Sequence, residues 1–426
     1  MGAKPDRLKV ALLADDFNPE WPSLPIVGFK YATALAERAE VTVFTQIRNK
    51  KNLEKLGSLG FQIRYLDTEY IASPIYKFAV WLRRGDELGW TIQIASNYLP
   101  YLEFERLALS EIKRGGASFD VVHRITPMSP TLPSYSSGRT GTPFVIGPLN
   151  GNLPWPREFS VEQKRERELL SKFKGIYKSL PFLRSTFRNA SAVLAAFPHT
   201  IASLGKESAG KVFDVPEIGY DPNIFYAKPR RGKDRLTFLY AGRLVPYKLP
   251  DVAVLAFAER KELRRHRLRI VGSGPERERL EQLVKEHGLQ DCVEFVGGLS
   301  QHQVADEMRR ADVFFFPSIR ELGAGVVIEA MACGLPCLVA DYGAPGALVN
   351  DHRGRKVALG DRETMTLGFA KAATELASRP ALLPKMSQEC ADYAKRTFTW
   401  DKKAEVTIAI YEWVLGRRHE RPQFVY

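Results

Sequence analysis

Two glutamates, Glu321 and Glu329, stand eight positions apart in ELGAGVVIEAMACGLP, the first in a glycine-studded loop and the second in the opening turns of an apolar stretch. Helix-forming residues begin after Gly325 and end at Gly334, where glycine suits a C-cap and Pro336 cannot continue the helix. VFFFPS, just before the loop, reads as a buried strand, so Ile319 to Gly325 carry backbone N–H groups into a helix N-terminus. Such a terminus attracts phosphate through its unpaired donors and its dipole. With a diphosphate against Gly323, Ala324, Gly325 and Val326, Glu329 can accept hydrogen bonds from ribose hydroxyls, and Glu321 can address a group beyond the phosphates. A polar loop with a first-turn glutamate favoured by the helix dipole is the alternative for the same residues.

A second constellation follows another strand. LTFLYAGRLVPYK places Arg243 and Lys248 five positions apart, ahead of a helix opened by Pro250. Two cations there can clamp a diphosphate and, in a reaction that expels one, stabilise the charge growing on its oxygens. Arginine brings a planar fork and lysine a mobile point charge. For either residue alone, a surface cation near a turn is the plainer reading. GSGP, Gly272 to Pro275, also follows a strand and opens a helix, but it lacks the third glycine of a dinucleotide fingerprint and a suitably placed acidic residue. We expect a tight turn against a neighbouring ligand loop.

These motifs need strand ends to sit on, and the second half of the chain supplies them. LTFLYAG, LRIVGSG, VEFVGG, VFFFPS and CLVAD alternate with helical stretches, the pattern of a parallel, doubly wound sheet. The first half repeats it less regularly, with LKVALLA, VTVFT, FDVVH, PFVIG, AVLAA and KVFDV as strands. Between them PEIGYDPNIFYAKPRRGKDR reads as a hinge, and the boundary falls near Pro216 to Arg235. The expected fold class is α/β: two Rossmann-like doubly wound domains facing a central cleft, 1–217 and 218–402, with a last helix of about 403–426 packed back on the first.

At 426 residues and 45% hydrophobic content the chain can build two cores. A net charge of +13 and a pI near 9.4 imply an anionic partner or a solvated basic surface. No zinc-finger spacing, ribonucleoprotein signature or helix-turn-helix segment supports nucleic acid. Cys292, Cys333, Cys337 and Cys390 offer no tetrahedral zinc set and suit buried packing. The absence of a long apolar run and of a signal-like start leads us to expect a cytoplasmic protein, with a peripheral place at the inner membrane face as an alternative. That alternative rests on residues 160–188, where lysines and arginines mix with aromatic and aliphatic residues; a helical insertion packed on its own domain fits them too.

Taken in order, the motifs resemble those of retaining glycosyltransferases of family 4 with the GT-B fold: Glu321 to Glu329 for E-x7-E, Gly242-Arg243 to Lys248 for G-R-x4-K, Val271 to Pro275 for V-G-x-G-P, and Glu329 to Pro336 for E-A-M-A-x-G-x-P. The resemblance covers nearly the whole second half. It implies that Arg243 and Lys248 hold the diphosphate of a sugar donor, Glu329 the ribose, Glu321 the sugar hydroxyls, and backbone from Val296 to Leu299 the base. The common E-G-F-G-L reads here as Glu321-Leu322-Gly323-Ala324-Gly325, a departure that bears on the shape of the phosphate loop.

In the first half the similarity is thinner. Gly28 lies in the stretch resembling the family's glycine-led first helix and is expected to let the chain approach the donor phosphates. His123, ending FDVVH, is expected to face the cleft as a catalytic or positioning group, a satisfied core histidine being the alternative. Asn150, in IGPLNGNLPWP, which resembles a glycine- and proline-rich loop of some of these enzymes, is expected to reach the acceptor. The resemblance implies a metal-independent enzyme without a cofactor, and no D-x-D triplet is present. The activity it implies is transfer of a hexose-type sugar, with retention, from a nucleotide diphosphate donor, expected to be UDP-linked, to a glycan, lipid-linked or small-molecule hydroxyl. A non-catalytic sugar-nucleotide-binding protein and a UDP-sugar epimerase on the same fold are the alternatives.

Overall fold

The computed structural model describes residues 7–82, 90–115, 118–165, 179–229 and 233–424. It divides into two compact units. The first comprises Met1–Asn152, Arg167–Glu217 and Trp400–Val425, and the second Leu153–Glu166 and Ile218–Thr399, as far as these are described. The sequence reading gave all of 1–217 to the first domain, whereas Leu153–Glu166, which follows a strand of the first unit, is folded with the second. No periodicity signals this, because the segment is held by side chains remote in sequence.

In the first unit β1 (Lys9–Ala14), β2 (Glu40–Gln46), β3 (Gln62–Leu66), β4 (Val121–Thr126), β5 (Phe144–Leu149), β6 (Ala192–Ala195) and β7 (Val212–Asp214) form one parallel sheet, in the order β3-β2-β1-β4-β5-β6-β7. In the second, β8 (Thr237–Ala241), β9 (Arg267–Val271), β10 (Val293–Gly297), β11 (Val313–Phe316), β12 (Cys337–Ala340) and β13 (Gly354–Val357) form another, in the order β10-β9-β8-β11-β12-β13. Both are doubly wound. The strand order reverses between β1 and β4 in one sheet and between β8 and β11 in the other, and such reversals open a crevice at the carboxyl ends of the strands. Central strands such as β11 and β12 are buried throughout, as parallel strands covered on both faces must be.

The last helix is Trp400–Val414, shorter at its end than the 403–426 expected, and it packs on the helix Leu24–Ala36 of its own unit. Tyr31 Oη lies 2.5 Å from Thr407 Oγ1 across that contact. Of the segment 160–188, residues 166–178 lie outside the described residues. Of its apolar residues, Leu183 and Phe187 belong to the hydrophobic core of the first unit and are not available to a membrane face. Among the described residues no helix is long and apolar enough to cross a membrane.

His123, in β4, is fully buried. Its Nδ1 is 2.5 Å from the Tyr411 hydroxyl and its Nε2 2.6 Å from the Gly147 carbonyl. Burial, with the nearby Arg124 charge opposing the Gly147 hydrogen bond, drives its pKa down to about 3, so the ring is neutral in the fold. A neutral buried histidine favours the folded state above its unfolded pKa of about 6.5, and that contribution drains away as pH falls towards the folded value. Urea unfolding should therefore show the wild type losing about 2 kcal/mol more than His123→Gln between pH 7 and pH 5. Parallel losses in the two proteins would mean that the ring is not held neutral.

Candidate active site

The switch point of the second sheet gathers the charged residues. Beyond β8 the chain turns at Gly242, passes Arg243 and makes a short helical turn at Pro246–Lys248; Leu249 then adopts a left-handed conformation before Pro250 opens the next helix. Beyond β11 it runs through Ser318 and Glu321 to Ala324, also left-handed, and enters the helix Gly325–Ala332. The two loops meet. The Ile319 N–H donates to the Tyr247 carbonyl at 3.1 Å, and Lys248 Nζ lies 2.7 Å from Glu321 Oε1.

That ion pair is largely shielded, with side chains 12% and 14% exposed. Ser318 Oγ donates to the same glutamate oxygen at 2.9 Å, and the ammonium sits 5.1 Å from the centre of the Phe316 ring. Arg243 plays a different part: it is exposed and donates from Nη2 to the Tyr247 hydroxyl at 2.7 Å. The sequence reading gave both cations to a diphosphate and the glutamate to a sugar. The structure ties one of those cations to that glutamate, an arrangement invisible in the spacing because it joins loops 73 residues apart.

The loop after β9 backs this arrangement. Gly242 N–H donates to the Val271 carbonyl at 3.0 Å, Leu244 N–H to Ser273 at 2.9 Å, and Glu276 N–H to Leu244 at 3.1 Å. A Cβ on Gly272 would stand 1.9 Å from the Gly242 carbonyl oxygen, so only glycine lets the two loops lie this close. GSGP is thus a buttress for the Arg243 loop, as expected, with no call for a nucleotide of its own.

Glu329, on the second turn of the helix Gly325–Ala332, is half-buried and accepts from Gln301 Nε2 at 3.4 Å. Gly323 and Ala324 are buried, Gly325 and Val326 partly so. The helix ends at Gly334, with the Leu335 N–H donating to Ala330 and the Gly334 N–H to Met331, the paired bonds of a glycine C-cap. Val296 is half-buried near the end of β10, two strands from β8.

The candidates of the first unit fare differently. His123 is walled in by its own core, so its expected exposure to a cleft is corrected. Asn150 is 9% exposed, and its amide is already engaged: Nδ2 donates to Glu217 Oε1 at 2.6 Å and Oδ1 accepts from Thr200 Oγ1 at 3.1 Å. Its hydrogen-bonding capacity goes to the fold. Gly28 lies within the helix Leu24–Ala36, where a Cβ would be 3.2 Å from the Asp16 carbonyl oxygen and 3.3 Å from Thr126 Cγ2. The close approach it allows is to the chain's own loop after β1. Sequence reasoning passed over Tyr247 and Ser318, though both lie inside stretches it singled out, LVPYK and VFFFPS. Among the described residues no cluster of three metal-ligating side chains is found.

Residues 223–397 match the family described as "Glycosyl transferases group 1". The chain is 36% identical over 198 residues to a D-inositol 3-phosphate glycosyltransferase of Streptomyces coelicolor, a stretch covering 43% of this chain and 42% of the relative. It is 32% identical over 241 residues to the protein of the same name from Stackebrandtia nassauensis, covering 52% and 53%. The matched region thus spans about half or less of those relatives. Among solved structures, sucrose-phosphate synthase from Thermosynechococcus elongatus superposes with a TM-score of 0.65 at 20% identity, over 97% of this chain and all (100%) of that one. Anabaena HepE, solved in complex with UDP-glucose, gives 0.58 at 17%, over 96% and 99%. The chain therefore has the two-domain GT-B fold, and residues 223–397 of its second unit match the group 1 glycosyl transferase family model.

Proposed function

We propose that the protein is a retaining, metal-independent glycosyltransferase that moves a hexose-type sugar from a UDP-linked donor to a hydroxyl of a glycan, lipid-linked or small-molecule acceptor. The observation that carries the reading is the Lys248–Glu321 pair at the switch point of the second sheet, beside the N-terminus of the helix Gly325–Ala332 and within one turn of Arg243. The name shared by the two aligned relatives and the UDP-glucose held by HepE support it.

An ammonium has three N–H donors, and Lys248 gives one to Glu321; the others can take a phosphate oxygen. A carboxylate has several lone pairs, so Glu321 can keep the lysine and accept from sugar hydroxyls. A donor seated here would put its diphosphate on Lys248, Arg243 and the helix N-terminus, and its ribose hydroxyls on Glu329. In the reaction the bond from the anomeric carbon to the phosphate oxygen breaks while that carbon bonds the acceptor oxygen on the same face. The acceptor proton passes to the departing phosphate. The cations lower the barrier by holding the charge that develops on the diphosphate. No resident cofactor takes part on this reading.

Incubation with a panel of UDP-sugars and acceptors, followed by UDP release and by NMR of the product's anomeric proton, tests the proposal directly. Transfer with retained configuration, undiminished by EDTA, is expected. Glu321→Gln should depress turnover far more than UDP affinity, whereas Arg243→Ala should weaken both, each phosphate contact being worth about 1.5–3 kcal/mol. Equal, small losses at both positions would contradict the assignment. Gly272→Ala should cost UDP affinity without touching any ligand, because its methyl group must displace the Gly242 carbonyl; an unchanged dissociation constant in calorimetry would show the buttress to be dispensable.

A further inference from the structure

Leu153–Glu166 leaves the first sheet after β5 and is folded with the second unit, and its contacts there converge on the two loops of the candidate site. The Leu153 carbonyl accepts from Arg320 Nη1 at 2.9 Å, and the Pro154 carbonyl from the Tyr342 hydroxyl at 2.6 Å. The Trp155 indole, 9% exposed, meets Tyr247 edge-on at 6.4 Å, while the Arg320 guanidinium lies 4.8 Å from its ring centre. Tyr247 immediately precedes Lys248, and Arg320 immediately precedes Glu321. One indole thus touches the neighbour of each member of the ion pair.

Two further contacts tighten the same strap. Gly343, at φ +59, would with any Cβ stand 3.0 Å from Leu153 Cδ2 and 2.7 Å from the Glu321 carbonyl oxygen; its bare backbone lets both approach, and the Ala344 N–H donates to that carbonyl at 3.2 Å. At its far end Glu162 pairs with Arg362, which also pairs with the buried Asp251 in the first turn of the helix after Lys248.

We propose that Leu153–Glu162 is a positioning strap for the candidate donor site, and that Trp155 sets the relative placement of Lys248 and Glu321 by bracing Tyr247 and Arg320 together. Trp155 needs no contact with substrate for this. The kinetic consequence rests on the functional reading above; the structural one does not. Sugar transfer demands that the cation on the phosphate and the carboxylate on the sugar stand in fixed relation, and a misplacement of about an ångström is felt mainly in the transition state.

Hydrogen exchange on the substrate-free full chain separates the two. In Trp155→Ala the amides of Lys248, Ile319 and Ala344 should exchange about tenfold faster or more, while amides in β9 and β12 keep their protection. Tyr342→Phe, which removes only the bond to the Pro154 carbonyl, should speed Ile319 and Ala344 to a smaller degree and guards against an indole deletion that fails to fold. Unchanged exchange at those amides in both variants overturns the strap, whatever the activity. With the UDP-sugar that the wild type consumes, Trp155→Ala should lose about tenfold or more in kcat while UDP affinity stays within about threefold, and Trp155→Phe should recover most of the loss. Parallel losses in kcat and UDP affinity without recovery by phenylalanine would reduce Trp155 to ordinary packing and overturn the proposal. A wild type that consumes no nucleotide sugar would sink the functional reading and leave the exchange result to decide the strap.

Discussion

The Lys248–Glu321 ion pair is the contact on which the geometry of the second unit's site depends. β8 and β11 are neighbours in the sheet, but their crossovers leave in opposite directions, so local chain geometry does not hold the loops beyond them together. What joins them is the Ile319–Tyr247 backbone bond and this pair of charges. With side chains only 12% and 14% exposed, neither ion keeps its full hydration, and each offsets the other's loss. The pair leaves ammonium donors and carboxylate lone pairs beyond its own contact, which are the groups the proposed sugar donor would use.

Two segments packed beside the pair bear on its placement. The loop after β9 presses glycine backbone against the Arg243 loop, and the strap presses an indole against Tyr247 and Arg320. These supports come from distant parts of the sequence, and they act on residues beside the charged ones. An enzyme site built by electrostatic preorganisation needs such a frame, since fixed dipoles and charges lower a barrier only when they need not rearrange during the reaction.

This also explains what could be read from the amino-acid order. Buried parallel strands are short apolar runs, so VFFF and CLVA declare themselves, as do the glycine that ends one helix and the proline that opens another. β3 and β13 do not declare themselves because neither is an apolar run: Gln62–Leu66 alternates exposed and half-buried residues, and Gly354–Val357 is short and carries two basic residues. Glu321, Lys248 and Arg243 stand out as candidates by their places just after strands and by the motifs they share with a known family. Their pairing is not legible, and neither is the membership of Leu153–Glu166, because periodicity reports which face a residue lies on and is silent about its partner across 73 or 167 positions.

His123 and Asn150 show the same limit from the other side. Strongly displaced acidities often mark reactive groups, and four groups of the first unit are displaced chiefly by burial: His123 falls to about 3, Lys403 falls to about 7, Glu217 rises, and Asp15 rises to about 7 with help from Asp16. Yet most of these groups are engaged within the fold. Lys403 donates to the Pro216 carbonyl, and Asn150 donates to Glu217, the last residue of the first unit before the chain enters the second, while Lys403 lies in the first turn after it returns. Polar side chains are spent there on fixing two chain crossings inside one unit, where unsatisfied backbone would otherwise be buried. Displaced acidity at these four groups therefore reports depth, and the candidate site stands out by the convergence of opposite charges at a sheet's switch point.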